Sequence, residues 1–384
     1  MKISRREIWV HGSLFIVTFV TTTLAGAEWT YGKSVWMPGF SWADFVSGMP
    51  YSIPFLLILT CHEFGHYFTA VYYRVKTTLP YYIPLPPFLF MFGTLGALIR
   101  LKSRVVSKKQ NFDIGIAGPL AGFVVALLIL WYGFSHLPPA EHIYQFHPEY
   151  EQYGLQYDQY VYGENATVPH YDVIIGKSLL WLFFENFVAD PVRVPNPHEI
   201  MHYPFLFAGF LSLVFTSINL LPIGQLDGGH VLYGLVGFKR HRTVASVVFI
   251  GFLIYAGLGY INPYLESDQL MMKIPLAILF AYVSLTGLML PWRDTLMYAL
   301  GVFVVVYLMG MFFPAVQGYP GWLLFIFIIG RFIRVPHPPS EVEEPLDPGR
   351  QLLGWIALLI FVLCFTPKPI EILLVTPAAP APGA

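Results

Sequence analysis

The chain has 384 residues, of which 56% are apolar and only 12% charged, with a formal net charge of −1. Soluble domains carry roughly a quarter charged residues, so this composition excludes an ordinary soluble globule and describes a chain with several membrane spans. The balanced charge gives no sign of a nucleic-acid partner. The two cysteines, Cys61 and Cys364, both lie in apolar stretches and offer neither a disulfide framework nor a cysteine-based metal cluster.

Apolar runs long enough to cross a bilayer, about 20 residues each, fall near 8–26, 50–73, 113–134, 202–224, 243–262, 269–290, 295–314 and 352–368. The expected fold is an all-α polytopic membrane protein of about eight transmembrane helices. A ninth is open at 321–333, which is short, interrupted by Arg331, and equally readable as an interfacial or re-entrant helix. Met1-Lys2-Ile3-Ser4-Arg5-Arg6 precedes the first run like a signal peptide. The run's length and its Trp29-Thr30 flank favour a retained anchor, with His11 as a polar contact near its start. Residues 1–49 thus form an anchor helix and a short outer loop.

The second run carries an ionisable cluster, His62-Glu63-Phe64-Gly65-His66. On a helix, positions four apart share one face, so His62 and His66 can offer two imidazole nitrogens to one metal ion, while Glu63 points about 100° away. This spacing is the zinc-protease pattern in which the intervening carboxylate is the general base. The alternative is a hydrogen-bonded polar network between helices. That network is costly at this depth unless it is fully paired.

Next, Thr77 to Leu101 mixes prolines, aromatics and β-branched residues without a clean helical period. Arg74, Lys76, Arg100, Lys102, Arg104, Lys108 and Lys109 crowd this connection, whereas 135–201 is mostly acidic. By the positive-inside rule the basic connection and the N-terminus are cytoplasmic, and 135–201 faces outward. Within that outer loop, the apolar piece Gly176 to Val188 is expected on the membrane surface. His142, His147, His170 and His202 are expected to be solvated or interfacial.

Two histidines do not complete a catalytic zinc site, which takes three protein ligands and leaves one position open. The best third ligand is Asp227, in the segment Asn219-Leu220-Leu221-Pro222-Ile223-Gly224-Gln225-Leu226-Asp227-Gly228-Gly229-His230. Pro222 and Gly224 break the fourth span there, and Gly228-Gly229 let the backbone bend closely around a carboxylate. His230 is a rival ligand. Lys239-Arg240-His241-Arg242 reads as a cytoplasmic loop, and the spans within 236–370 read as a substrate gate or as support. Pro336 to Arg350 reads as a flexible acidic loop, and 371–384 as a Pro/Ala-rich tail, disordered from Pro377.

The two motifs, each on its own span, resemble those of the site-2 proteases, which are intramembrane zinc metalloproteases. The resemblance extends to Gly93-Thr94-Leu95-Gly96-Ala97 and to Gly115-Ile116-Ala117-Gly118-Pro119-Leu120-Ala121-Gly122, and it covers about 50–235. It implies that His62, His66 and Asp227 hold zinc, that Glu63 is the catalytic base, and that Asn219 helps hold the substrate carbonyl. It further implies a membrane-associated β-hairpin after the HExxH helix and a single-span membrane protein as substrate. The outer loop, at about 65 residues, is too short for the PDZ domain that many bacterial members carry there.

The glycine-rich run also has a plainer reading, a face for close helix packing. A zinc-binding scaffold without proteolysis and a cation transporter are the other functions considered. The intact Glu63 speaks against the first, and no inverted repeat speaks for the second. The expected location is a prokaryotic inner membrane, with plastid or archaeal membranes as alternatives.

Overall fold

The computed structural model describes residues 4–88, 91–162 and 170–375. In chain order the elements are α1 (Arg5–Tyr31), α2 (Trp42–Ser47), α3 (Met49–Tyr72), β1 (Tyr81–Pro84), β2 (Thr94–Leu98), α4 (Lys108–Ser135), α5 (Asp158–Val161), β3 (His170–Ile175), α6 (Leu179–Phe187), α7 (Pro204–Asn219), α8 (Asp227–Leu258), α9 (Ser267–Leu285), α10 (Trp292–Phe312), α11 (Leu323–Ile328), α12 (Pro348–Cys364) and β4 (Ile370–Val375). Each of the eight apolar stretches lies mainly on a helix, with 202–224 running past the end of α7 at Asn219. Among the described residues five helices are long and apolar enough to cross a membrane: α1, α4, α8, α9 with its continuation to Leu288, and α10. The chain is therefore a multi-pass membrane protein. Shorter apolar helices are α7, Pro320–Ile333 and α12, and α3 falls outside the five although it has 24 residues. The polar triplet His62, Glu63 and His66 sits within α3.

The chain divides into two compact units, one of 1–104, 120–217 and 362–384, the other of 105–119 and 218–361. In the first, a capping box closes the start of α1: Ser4 accepts from the Glu7 amide while the Glu7 carboxylate accepts from the Ser4 amide. Gly32 in the left-handed region ends the helix. Helices α1 and α3 cross closely at Gly48, where an added Cβ would come within 1.9 Å of the Thr23 carbonyl oxygen. The Thr23 and Ser52 hydroxyls meet there at 2.8 Å.

After α3 the chain forms a two-stranded antiparallel hairpin, Tyr81 opposite Leu98 and Tyr82 opposite Ala97, with a register shift before the Pro84–Thr94 pair. The missing N–H of Pro84 is consistent with an irregular ladder at that point. Tyr82 ties the hairpin to α3 through a 2.8 Å hydroxyl contact with Thr60, two residues before His62. On the other side, His11 Nδ1 donates to the Pro80 carbonyl at 2.9 Å.

A second antiparallel pair was not expected. β3 and β4 align over six residue pairs, from His170 opposite Val375 to Ile175 opposite Ile370, so residues 371–375 of the expected tail form a strand. Pairing partners about 200 residues apart leave no periodic signal that one sequence segment could reveal. The tail from Pro377 lies outside the described residues. The outer piece Gly176 to Val188 contains α6, whose Trp181 and Phe184 are buried on Phe134.

In the second unit two further expectations change. The basic cluster at 239–242 is itself helical, and the break before it shrinks to Gly237, whose φ 75° and ψ 171° divide α8 into two helical parts. That conformation suits glycine, and it interrupts the helical path there. Pro336 to Arg350 is tethered by many contacts. Ser107 bridges Val342 in parallel, Lys108 and Lys109 pair with Glu343 and Glu344 at 3.7 and 3.1 Å, and Arg350 reaches Asp113 at 2.7 Å. Its prolines fix an extended path whose acids meet the basic start of α4.

Candidate metal centre

Helix α3 brings His62, Glu63 and His66 into a buried face, exposed by 8%, 5% and 7%. One helical turn sets the two Nε2 atoms 3.1 Å apart, and Glu63 Oε1 lies 3.9 Å from His62 Nε2. Two ligands each about 2.05 Å from a tetrahedral zinc ion stand about 3.3 Å apart, so the imidazole pair fits zinc. Glu63 lies beside the pair, its carboxylate within reach of the same space.

Gly122 on α4 has a specific neighbour. A Cβ there would stand 3.1 Å from His62 Cβ and 3.5 Å from His62 Nδ1. The small residue lets α4 lie against the first histidine of the motif, which makes the close-packing reading and the functional one the same fact. Gly122→Leu is expected to push His62 aside and weaken zinc binding on the order of tenfold, as disturbed support of a metal ligand commonly does. Zinc retention against a graded chelator series would show it, and unchanged retention would mean that the helices separate without disturbing the ring.

In the second unit, Asn219 ends α7 and Asp227 occupies the first turn of α8, both partly buried. The chain between them is irregular, and Gly228 lies hard against it: a Cβ there would come within 1.9 Å of the Leu220 carbonyl oxygen. Only glycine lets the first turn of α8 close on the segment that follows α7. His230 donates from Nδ1 to His337 Nε2 at 2.8 Å, since His337 Nδ1 is committed to the Pro338 carbonyl at 2.5 Å. Gly115, from the same glycine-rich run as Gly122, packs on His230, where a Cβ would stand 2.6 Å from the imidazole's own Cβ. His337, buried within the proline-rich connection, is a partner the sequence did not reveal.

Of the histidines between α4 and α7, His147 and His202 come together around a carboxylate. His202 keeps 11% of its side chain exposed, and with His147 it surrounds Glu199, which keeps 3%. Burial raises the Glu199 carboxyl above the usual carboxylate range, against the opposing effects of the Tyr162 hydroxyl and of His147 and His198.

Residues 50–258 match the family model described as Peptidase family M50. The chain belongs to that family. Among its relatives, a protein of Oryza sativa subsp. japonica named "Probable zinc metalloprotease EGY1, chloroplastic" is 30% identical over 211 residues, covering 54% of this chain and 32% of the relative. An Arabidopsis thaliana protein named "Probable zinc metalloprotease EGY2, chloroplastic" is 27% identical over 206 residues, covering 53% and 32%. Another from Arabidopsis thaliana, "Probable zinc metallopeptidase EGY3, chloroplastic", is 27% identical over 246 residues, covering 60% and 38%. The matched part thus spans only a third or so of those relatives' length. No solved structure matches. The relatives are named as chloroplast proteins, which lends nothing to the expected prokaryotic inner membrane.

Proposed function

We propose that this chain is an intramembrane zinc endopeptidase that hydrolyses a peptide bond in or near a transmembrane segment of another membrane protein. The observation that carries the reading is the pair of imidazole Nε2 atoms 3.1 Å apart on α3, beside a buried Glu63, in a chain of peptidase family M50. In this reading His62, His66 and Asp227 hold zinc, and zinc when bound supplies a Lewis acid and lowers the pKa of the attacking water.

Glu63 accepts the proton of that water as it attacks the peptide carbonyl, and then returns it to the departing amine. Asn219 donates its side-chain N–H to the carbonyl oxygen as negative charge gathers there. A transmembrane helix hides its peptide bonds within its own turns, so the substrate has to unwind. The hairpin beside α3 has only two strands among the described residues, so an extended segment can add to it as a third. The substrate class is a single-span, membrane-tethered protein. The N-terminus lies on the same side as the basic connection 74–109, the side that resists translocation.

Chelation supplies the test. The purified chain, reconstituted with a tagged single-span protein that is cleaved in native membranes, is expected to lose cleavage on zinc removal and regain it on zinc addition. Cleavage that persists in the metal-free protein would sink the proposal. Zinc flux across the same vesicles without cleavage would assign these residues to transport.

A further inference from the structure

The geometry points to a second site for a zinc-class divalent cation, built by His147, Glu199 and His202 on the turns that precede α5 and α7. All three belong to the first unit, and none belongs to the HExxH motif. His147 Nε2 lies 3.3 Å from His202 Nε2 and 3.8 Å from Glu199 Oε2, and His202 Nε2 lies 3.4 Å from the same oxygen. A circle through those three atoms has a radius of about 2.0 Å, the length of a zinc bond to histidine nitrogen or carboxylate oxygen.

The proton positions make the case stronger than the distances alone. His202 Nδ1 lies 2.6 Å from the Thr30 carbonyl oxygen, which can only accept, so the ring's proton is on Nδ1. His147 Nδ1 lies 3.1 Å from Glu149 Oε1, and a carboxylate likewise accepts. In the neutral rings both Nε2 atoms therefore present lone pairs, and they present them to each other and to a carboxylate oxygen. The Tyr162 hydroxyl donates to the other oxygen of Glu199 and leaves Oε2 for the cluster. Three acceptors facing one another at 3.3 to 3.8 Å repel one another unless a metal ion or a proton stands between them, and the spacing fits the metal ion. Histidines ligating a metal typically anchor the second ring nitrogen on a carbonyl or carboxylate, and both do so here.

Two histidines and a glutamate form a recognised catalytic-type zinc set, three protein ligands with a fourth position open. That position has room, because the three residues line a cavity of 720 Å³ together with Glu28, Tyr153 and Asp172. The cation would join His147 to residues about fifty positions later and so brace the outer connection between α4 and α7.

The experiment uses the full chain in detergent, with His62→Ala and His66→Ala removing the first metal motif so that the outcome does not depend on it. Zinc titrated against a chromophoric chelator is expected to load a single tight site in that background, and adding His147→Ala with His202→Ala is expected to weaken it by more than tenfold. No tight zinc in the background, or undiminished zinc after the second pair of substitutions, would overturn the assignment. Should either variant misfold, diethyl pyrocarbonate labelling of wild type decides. Zinc is expected to protect His147 and His202 from carbethoxylation, as mapped by mass spectrometry, and equal labelling with and without zinc would overturn the site in favour of a protonated imidazole held by Glu149 and Glu199.

Discussion

Glu63→Gln is expected to lower peptide-bond cleavage by about 10²–10⁴-fold, the contribution of a positioned general base, while the protein keeps its zinc. The two outcomes are linked by geometry. Glutamine has nearly the volume and shape of glutamate, so α3 and its buried neighbours have no reason to rearrange. Its amide cannot take a proton from water, however, nor pass one to a departing amine. On the helix Glu63 leaves at about 100° from His62, whereas His66 lies on the same face one turn on, so zinc held by the two imidazoles is expected to survive the substitution. Zinc per chain and the rate of cleavage should be measured on the same preparation. A variant that loses both would make Glu63 a ligand or a folding determinant, and a variant that keeps full cleavage would remove it from the mechanism. A variant that retains zinc but loses cleavage would also separate a protease from a zinc-binding scaffold, because a scaffold gains nothing from the base.

How far the sequence alone reaches depends on whether a feature is local. His62 and His66 are legible because one helical turn fixes their relation, and the structure adds only the 3.1 Å between their nitrogens. For Tyr81–Pro84 and Thr94–Leu98 the residues alone show only that the stretch lacks a helical period and carries prolines, and the hairpin is what the family resemblance implies. Long-range pairings are different in kind. Nothing near Ile370 announces that it will pair with Ile175, and Glu343 and Glu344 look like solvated loop charges until Lys108 and Lys109 are found against them. The same holds for His147, which is ordinary alone and stands out only beside His202 and Glu199. Gly122 shows the intermediate case. Its smallness signals close packing, but the object packed against it, the first imidazole of the motif, is visible only in three dimensions.

Asp227→Asn is expected to weaken zinc binding by at least about a hundredfold and to abolish cleavage with it, since loss of a ligand should equal or exceed the 10–100-fold cost of losing a ligand's support. The substitution keeps the side chain's size and its place in the first turn of α8, and it removes the negative charge that would complete the His62–His66 pair. His230→Gln is the necessary companion. His230 already spends Nδ1 on His337, and Gly115 fills the space behind its Cβ, so it has a structural occupation of its own. If Asp227 is the third ligand, the asparagine variant loses zinc and the His230 variant keeps it. The reverse pattern would make the site one of three histidines and would transfer the role to His230. Zinc retained by both variants would mean that neither residue completes the site, and the third ligand would have to be sought outside the 219–230 segment. Gly228→Ala provides a control on the backbone. With a Cβ forced against the Leu220 carbonyl, the first turn of α8 must move, and zinc should weaken although every proposed ligand is still present.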